Sequence, residues 1–282
     1  EVQVVEMLPA ILPGVDREIV RRLGPVYRKR GIALHTGAQV KAILPATAGA
    51  PTDPLAPKRV VFAQRGEEKE LTAELILVAT GRRPRLPVDT LQKLGVDYDR
   101  RGIKVNERME TSVPHIYAVG DCVGGILLAH LATAEGLVAA VNATGGTAAM
   151  RYTAVPNCIY TFPEVAGVGL TEEQAKEEGL AYQVAKFPFS ANSRAAIAGE
   201  LEGLVKLVFE SGTGRVLGLH LFGPQATELI HEGVLAVENG LTVDQLAASI
   251  HAHPTLSEAL GEVAHGAGGY FIHLIDRRRR RR

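Results

Sequence analysis

The spacing of apolar positions along the chain changes several times, and each change marks an element. Residues 1–6, Glu-Val-Gln-Val-Val-Glu, form an apolar run closed by an acid, as a buried parallel strand would. Asp16 can cap a helix in which Ile19, Val20, Leu23, Val26 and Tyr27 recur at helical spacing, and Gly31 stops it. Residues 32–34 and 40–44 predict short strands, followed by a Pro-, Ala- and Gly-rich loop over 45–58. Two further strands, 59–64 and 71–78, are predicted as a hairpin-like pair split by the polar stretch 65–70. The second runs into Ala79-Thr80-Gly81-Arg82-Arg83-Pro84. A strand over 116–119 delivers Gly120-Asp121, and an Ala-rich helix covers 128–143 before Gly145-Gly146 breaks the pattern.

Beyond residue 150 the pattern becomes that of antiparallel strands with helices packed on them. Thr171-x-x-Gln174 is a capping box that opens a helix stopped by Gly179. Residues 204–209 and 216–222 flank the turn Ser211-Gly-Thr-Gly214 as a hairpin. A helix over 225–239 sets Leu229, Ile230, Val234 and Val237 on one face, and Thr242-x-x-Gln245 starts another that leads to His251. The fold class expected is α/β plus α+β: a partial dinucleotide-binding, Rossmann-like region, then an α+β domain. No internal repeat is visible.

With 282 residues, 46% hydrophobic and 22% charged, the chain is long enough for two globular domains. Thirty glycines, 15 prolines and two cysteines exclude collagen, wholesale disorder and a disulfide scaffold. There is no apolar run of about 18 residues and no secretion signal, so the expectation is a cytoplasmic protein with no membrane partner. The formal net charge of zero misleads, because residues 277–282 are six arginines. Without them 25 basic residues face 31 acidic ones, a net of −6. An acidic body with a basic end is not the footprint of a nucleic-acid reader, and the tail reads as solvated and disordered.

Among the residues that carry chemistry, Glu6 has the place of the acid that accepts from a ribose hydroxyl at the end of a dinucleotide-binding strand. A solvated strand-terminal acid explains it equally well. His251-Ala-His253-Pro254-Thr255-Leu256-Ser257-Glu258 is more specific. A histidine can switch charge near neutral pH, and a carboxylate five residues on can hold its other ring nitrogen. Three plainer roles stay open. Glu258 could complete a capping box with Thr255, His253 could be a core histidine, and His251-x-His253 could be half a metal site. A metal site needs three or four ligands, and Cys122 and Cys158 lie far away in sequence, so none is expected. There is no Gly-x-Ser-x-Gly elbow, no His-Glu-x-x-His and no phosphate loop with a lysine.

Four stretches occur in a telling order: Ala79 to Pro84; Ile116-Tyr-Ala-Val-Gly-Asp121; Ile159-Tyr-Thr-Phe-Pro-Glu-Val-Ala166-x-Val168-Gly169; and His251 to Glu258. Together they resemble the flavin-dependent pyridine nucleotide–disulfide oxidoreductases, and the last is most similar to the branch that oxidises dihydrolipoamide. The resemblance covers residues 1 to about 265. That family also carries an FAD glycine turn, a redox Cys-x4-Cys and a second glycine turn for NAD, and none of these is in the sequence. Cys122 and Cys158, 36 positions apart, cannot replace that pair by spacing.

The resemblance implies FAD and NAD as cofactors. Glu6 would take the NAD ribose hydroxyls, Val40 would line the adenine side, and Gly81 would let the cofactor approach the backbone. Asp121 would accept from the FAD ribityl chain, although a turn aspartate after glycine is the plainer reading. Leu127, Leu128, Ala129 and His130 would start the helix beneath the flavin. His253 and Glu258 would be the acid–base pair, with a cis His253–Pro254 bond. The resemblance further implies a partial NAD-binding domain over 1–85, the end of an FAD-binding domain over 86–150, a dimerisation domain over 151–270, and a tail over 271–282. Its partners would be a second copy of the chain and the dihydrolipoyl group of a 2-oxo-acid dehydrogenase complex. The chain is expected to be an inactive part of a longer enzyme, poorly soluble because its dinucleotide sheet lacks the first βα unit. A glutathione-type flavin reductase and a non-catalytic dimerisation module are the alternatives.

Overall fold

The computed structural model describes residues 1–46 and 56–274, so most of the expected 45–58 loop and the arginine tail lie outside the described residues. The chain divides into two compact units, one of Glu1–Leu77 with the chain from Pro156 onward, the other of Val78–Val155.

The first unit opens with β1 (Val2–Glu6), α1 (Arg17–Lys29) and β2 (Ile32–Thr36), and the two strands pair in parallel. Asp16 caps α1 by accepting from the Glu18 and Ile19 N–H groups at 3.0 and 3.2 Å. Gly31, with φ of 82°, follows the helix end as expected. β1 is parallel but not buried: Val2 and Val4 are 54% and 36% exposed. A two-stranded ribbon with no further strand bonded to it among the described residues leaves these side chains in the open.

Next, β3 (Ala38–Pro45), β4 (Lys58–Gln64) and β5 (Glu67–Ala73) form a separate antiparallel sheet. The hairpin is real, but its second strand is not 71–78. Arg65 and Gly66, both at positive φ, turn the chain at once, and the acidic stretch 67–70 then pairs with β4 through Glu70 opposite Val61 and Glu67 opposite Gln64. An exposed outer strand tolerates charge, which is why the polar stretch misled. Residues 75–78 bond to no strand among the described residues, and Leu75 and Leu77 are 87% and 88% exposed.

The second unit holds α2 (Val88–Leu94), the two-residue strands β6 (Tyr98–Asp99) and β7 (Gly102–Ile103), a 3₁₀ turn over Gly120–Val123, and α3 (Ala129–Ala143). The strand expected over 116–119 is reduced to one isolated bridge, Glu110 to Tyr117. The chain swings at once into the 3₁₀ turn. Gly124 ends that turn at φ 78°, where a Cβ would collide with the Arg101 carbonyl oxygen.

The first unit resumes with β8 (Asn157–Ile159), β9 (Glu164–Gly169), α4 (Glu172–Glu177), β10 (Tyr182–Pro188) and α5 (Ser193–Ala198). β11 (Leu204–Glu210), β12 (Val216–Gly223), α6 (Ala226–Glu238), α7 (Val243–Ala248) and α8 (Glu258–Ala267) complete it. The strands form one antiparallel sheet in the order β10-β11-β12-β9-β8. Both capping boxes form, at Thr171 with Gln174 and at Thr242 with Gln245. Ile19, Leu23 and Tyr27 of α1 pack with Val165, Leu204 and Phe222 of the sheet in one core cluster. At the other end, the carboxylate of Glu262 accepts from the backbone N–H groups of Ile272 and His273, so the chain stays tied to α8 as far as residue 273.

Candidate active site

His253 stands on a short loop between α7 and α8, after Ser249 has ended α7 and before Glu258 starts α8. The peptide bond from His253 to Pro254 is cis. The ring Nδ1 lies 2.9 Å from Glu258 Oε1, while the side chain is 62% exposed. A carboxylate accepts only, so Nδ1 carries the proton in the neutral ring and Nε2 is left as the basic nitrogen. Glu258 is well placed to stay ionised. Burial pushes its carboxyl up, but the Thr255 N–H (2.8 Å from Oε2) and the His253 ring outweigh that and leave it below its ordinary value.

The dyad and the capping role coexist in Glu258, with one correction. Ser257, not Thr255, precedes the first residue of α8, and the Thr255 hydroxyl turns back to the Ala252 carbonyl at 2.6 Å. Only half of the expected box exists, the Glu258 carboxylate taking the Thr255 N–H, while the Thr255 hydroxyl lies against the Ala252 carbonyl and the Ser257 hydroxyl instead. His251 and His253 do not share a site: His251 faces Glu232 on α6, its Nε2 lying 3.0 Å from Oε1. Among the described residues, no group of three or more His, Cys, Asp and Glu side chains is arranged to hold a metal ion.

The remaining candidates fall into the two units. In the first, Glu6 ends β1 and accepts from the Leu8 N–H at 2.7 Å through Oε1, and Val40 on β3 is 44% exposed. In the second, Gly81 has φ of 95° with open space where a Cβ would stand. Asp121 lies in the 3₁₀ turn, 3.1 Å from Arg82, whose guanidinium also donates to the Leu127 carbonyl at 2.7 Å. Leu127 and Leu128 lead into α3, which begins at Ala129 and His130 with no side-chain cap and no acid in its first turn.

Sequence reasoning missed two supports of this turn. Buried Glu135 on α3 accepts from the Gly120 N–H at 2.7 Å and from the Tyr152 hydroxyl at 3.1 Å. Burial and that carboxylate push the Tyr152 hydroxyl up to about 12. Arg82 was visible only as part of a motif. An acid at an inward helical position is the signal that could have found Glu135.

These residues fit the two nucleotide cofactors. An uncapped helix start offers N–H groups and a positive dipole end to an anionic group, and Asp121 and Glu6 offer acceptors to hydroxyls.

The family profile described as pyridine nucleotide-disulphide oxidoreductase matches residues 1–136, and that of the family's dimerisation domain matches residues 155–264. The chain belongs to the pyridine nucleotide–disulphide oxidoreductases, a family that uses FAD and NAD. Among curated relatives, dihydrolipoyl dehydrogenase of Thermus scotoductus is 46% identical over 278 residues, covering 98% of this chain and 59% of that protein. The mitochondrial dihydrolipoyl dehydrogenase of Bos taurus is 42% identical over 250 residues, 88% of this chain and 48% of that protein. The chain thus spans about half the length of the curated relatives it matches. Among solved structures, LpdA from Mycobacterium tuberculosis superposes with a TM-score of 0.82 at 27% identity, covering 94% of this chain and 56% of that one. The HOCl-induced flavoprotein disulfide reductase RclA from Escherichia coli, in its Cu(II) complex, gives 0.81 at 26% identity over 94% and 58%.

Proposed function

We propose that this chain supplies the proton acceptor, the dimer contact and part of both nucleotide sites of a dihydrolipoyl dehydrogenase that works as a homodimer. The observation that carries the reading is the 2.9 Å bond from His253 Nδ1 to Glu258, which leaves Nε2 of an exposed ring to take a proton.

A thiol of pKa about 8.5 is only a few per cent thiolate at neutral pH. His253 Nε2 takes the proton of one dihydrolipoyl thiol as its sulfur attacks a redox disulfide supplied from outside this sequence. The S–H bond breaks, a new S–S bond forms, and the displaced sulfur leaves with the electron pair of the old one. Glu258 holds the ring in the tautomer that accepts and stabilises the imidazolium that results. Such base catalysis is worth about 10²–10⁴ in rate. Bound FAD and NAD supply the onward route for the electron pair as hydride. Glu6 would hold the NAD ribose, and its charge would disfavour a 2′-phosphate there; Asp121 and the start of α3 would hold the flavin. The dihydrolipoyl group belongs to a 2-oxo-acid dehydrogenase complex.

The 282 residues alone do not turn over, because neither glycine turn nor the Cys-x4-Cys pair is in their sequence. A sample of this chain that reduced NAD with dihydrolipoamide overturns that statement. The test of the base is His253→Gln in the FAD-loaded polypeptide that contains this chain: the dihydrolipoamide rate falls at least about 100-fold, and an unchanged rate refutes the role. The flavoprotein disulfide reductases among the structural neighbours favour a second reading, a different disulfide as substrate. Rates with glutathione disulfide above those with dihydrolipoamide select it. No rate with either selects a dimerisation module.

A further inference from the structure

His251 is the more enclosed of the two loop histidines, with 12% of its side chain exposed. Both of its ring nitrogens face acceptors. Nδ1 lies 3.1 Å from the Ser249 carbonyl, and Nε2 lies 3.0 and 3.3 Å from the two oxygens of Glu232. A neutral imidazole has one N–H and can serve only one of these; an imidazolium serves both. The ring is also seated against α8 at Gly261, where a Cβ would stand 2.7 Å from His251 Nδ1.

The loop is held from other directions as well. Asn192, the cap of α5, donates from Nδ2 to the Thr255 carbonyl at 3.0 Å, and Glu258 takes the Thr255 N–H. His253 therefore projects from a segment fastened to α5, α6 and α8. The loop carries its acceptor ring outward and its anchoring ring inward, two residues apart.

We infer that His251 and Glu232 form a charged pair that positions His253, fixing the loop on α6 and setting a positive charge beside the His253–Glu258 dyad. The inference rests on the proposed role of His253 as base. The carboxylates acting on His251 come from two elements, Glu232 on α6 and Glu258 on α8. The Glu232 hydrogen bond, outweighing burial, holds the ring's pKa above the ordinary histidine value. Both nitrogens being engaged and the ring charged, His251 is a positioning residue and not a second proton acceptor.

The test uses Glu232→Gln and Glu232→Asp in the FAD-loaded dimer of the polypeptide that contains this chain. Glu232→Gln keeps an acceptor and loses the charge; kcat with dihydrolipoamide falls roughly tenfold while KM stays within about twofold. Glu232→Asp keeps the charge and recovers most of the rate. Histidine C2–H exchange followed by mass spectrometry across pH, in a His253→Gln background so that His251 alone reports in its peptide, reads the anchor without turnover. The His251 midpoint drops in Glu232→Gln. If Glu232→Gln does not fold, His251→Gln carries the same kinetic test, because the Glu232 left behind is partly hydrated. A kcat unchanged in Glu232→Gln, an aspartate variant as slow as the glutamine one, or an exchange midpoint that does not move overturns the inference. Failure of the base itself is distinguishable: His253→Gln then leaves turnover intact while the exchange profile of His251 still responds to Glu232.

Discussion

Lys206 and Asp16, 190 positions apart in sequence, meet at 2.8 Å with both side chains fully buried. The same ammonium reaches Glu172 at 2.6 Å and Glu18 at 3.5 Å. The cap of α1 is thereby also the counter-ion of a strand in the antiparallel sheet. Removing the cation alone leaves the fully buried Asp16 carboxylate without its counter-ion, a loss that typically costs about 3–5 kcal/mol. Lys206→Met is expected to lower the urea-unfolding free energy by that order. A midpoint within the error of the parent shows that the ammonium does not hold α1 to the sheet.

Acid should undo the same cluster. Burial pushes the Glu18 carboxyl up, but hydrogen bonds from Lys186 and Arg22 and the nearby cations more than reverse this, bringing it from 4.5 down to about 2. Asp16 is lowered too, its burial offset by Lys206 and the charges around it. A carboxyl whose folded value is depressed stabilises the fold fully above its unfolded value and loses that contribution as pH falls towards the folded one. The thermal midpoint therefore declines as pH drops from about 4.5 towards 2, and in Glu18→Gln the decline is shallower. Equal slopes in the two proteins remove Glu18 from the account.

Tyr27 illustrates the opposite case. It sits in the core cluster of α1, 8% exposed, and its buried hydroxyl has no hydrogen-bond partner among the described residues. An unsatisfied buried polar group costs about 1–3 kcal/mol. Tyr27→Phe keeps the ring and removes that cost, so calorimetry should show a melting point raised by a few degrees.

Thr171 tests a local device. Its hydroxyl accepts from the Gln174 N–H at 3.2 Å, and the Gln174 side chain accepts from the Thr171 N–H at 2.9 Å. Thr171→Ala should cost about 1 kcal/mol in chemical denaturation, whereas Thr171→Ser should cost much less.

What the sequence made legible was what is set within a few residues. Asp16, Thr171 and Thr242 cap helices where their spacing placed them, and the turn at 211–214 joins β11 to β12. What it hid depends on distant partners. Glu67 to Glu70 read as a break because their polarity is local, while their pairing with β4 comes from the Arg65-Gly66 turn. Ile116 to Val119 read as a strand because their hydrophobicity is local, yet only Tyr117 finds a bridge. In the candidate site, five residues separate His253 from Glu258, so their pairing was visible in the pattern. His251 meets Glu232 across 19 positions and Gly120 meets Glu135 across 15, and no short motif announces either.

Glu258 divides its two oxygens, one for the Thr255 amide and one for the His253 ring. The aim of the imidazole is therefore inherited from the nucleation of α8, and fraying of that first helical turn would release the ring at the same instant. Heat or mild denaturant should free the His253 ring from Glu258 while the sheet is still whole, and faster amide exchange at Thr255 would be the early sign.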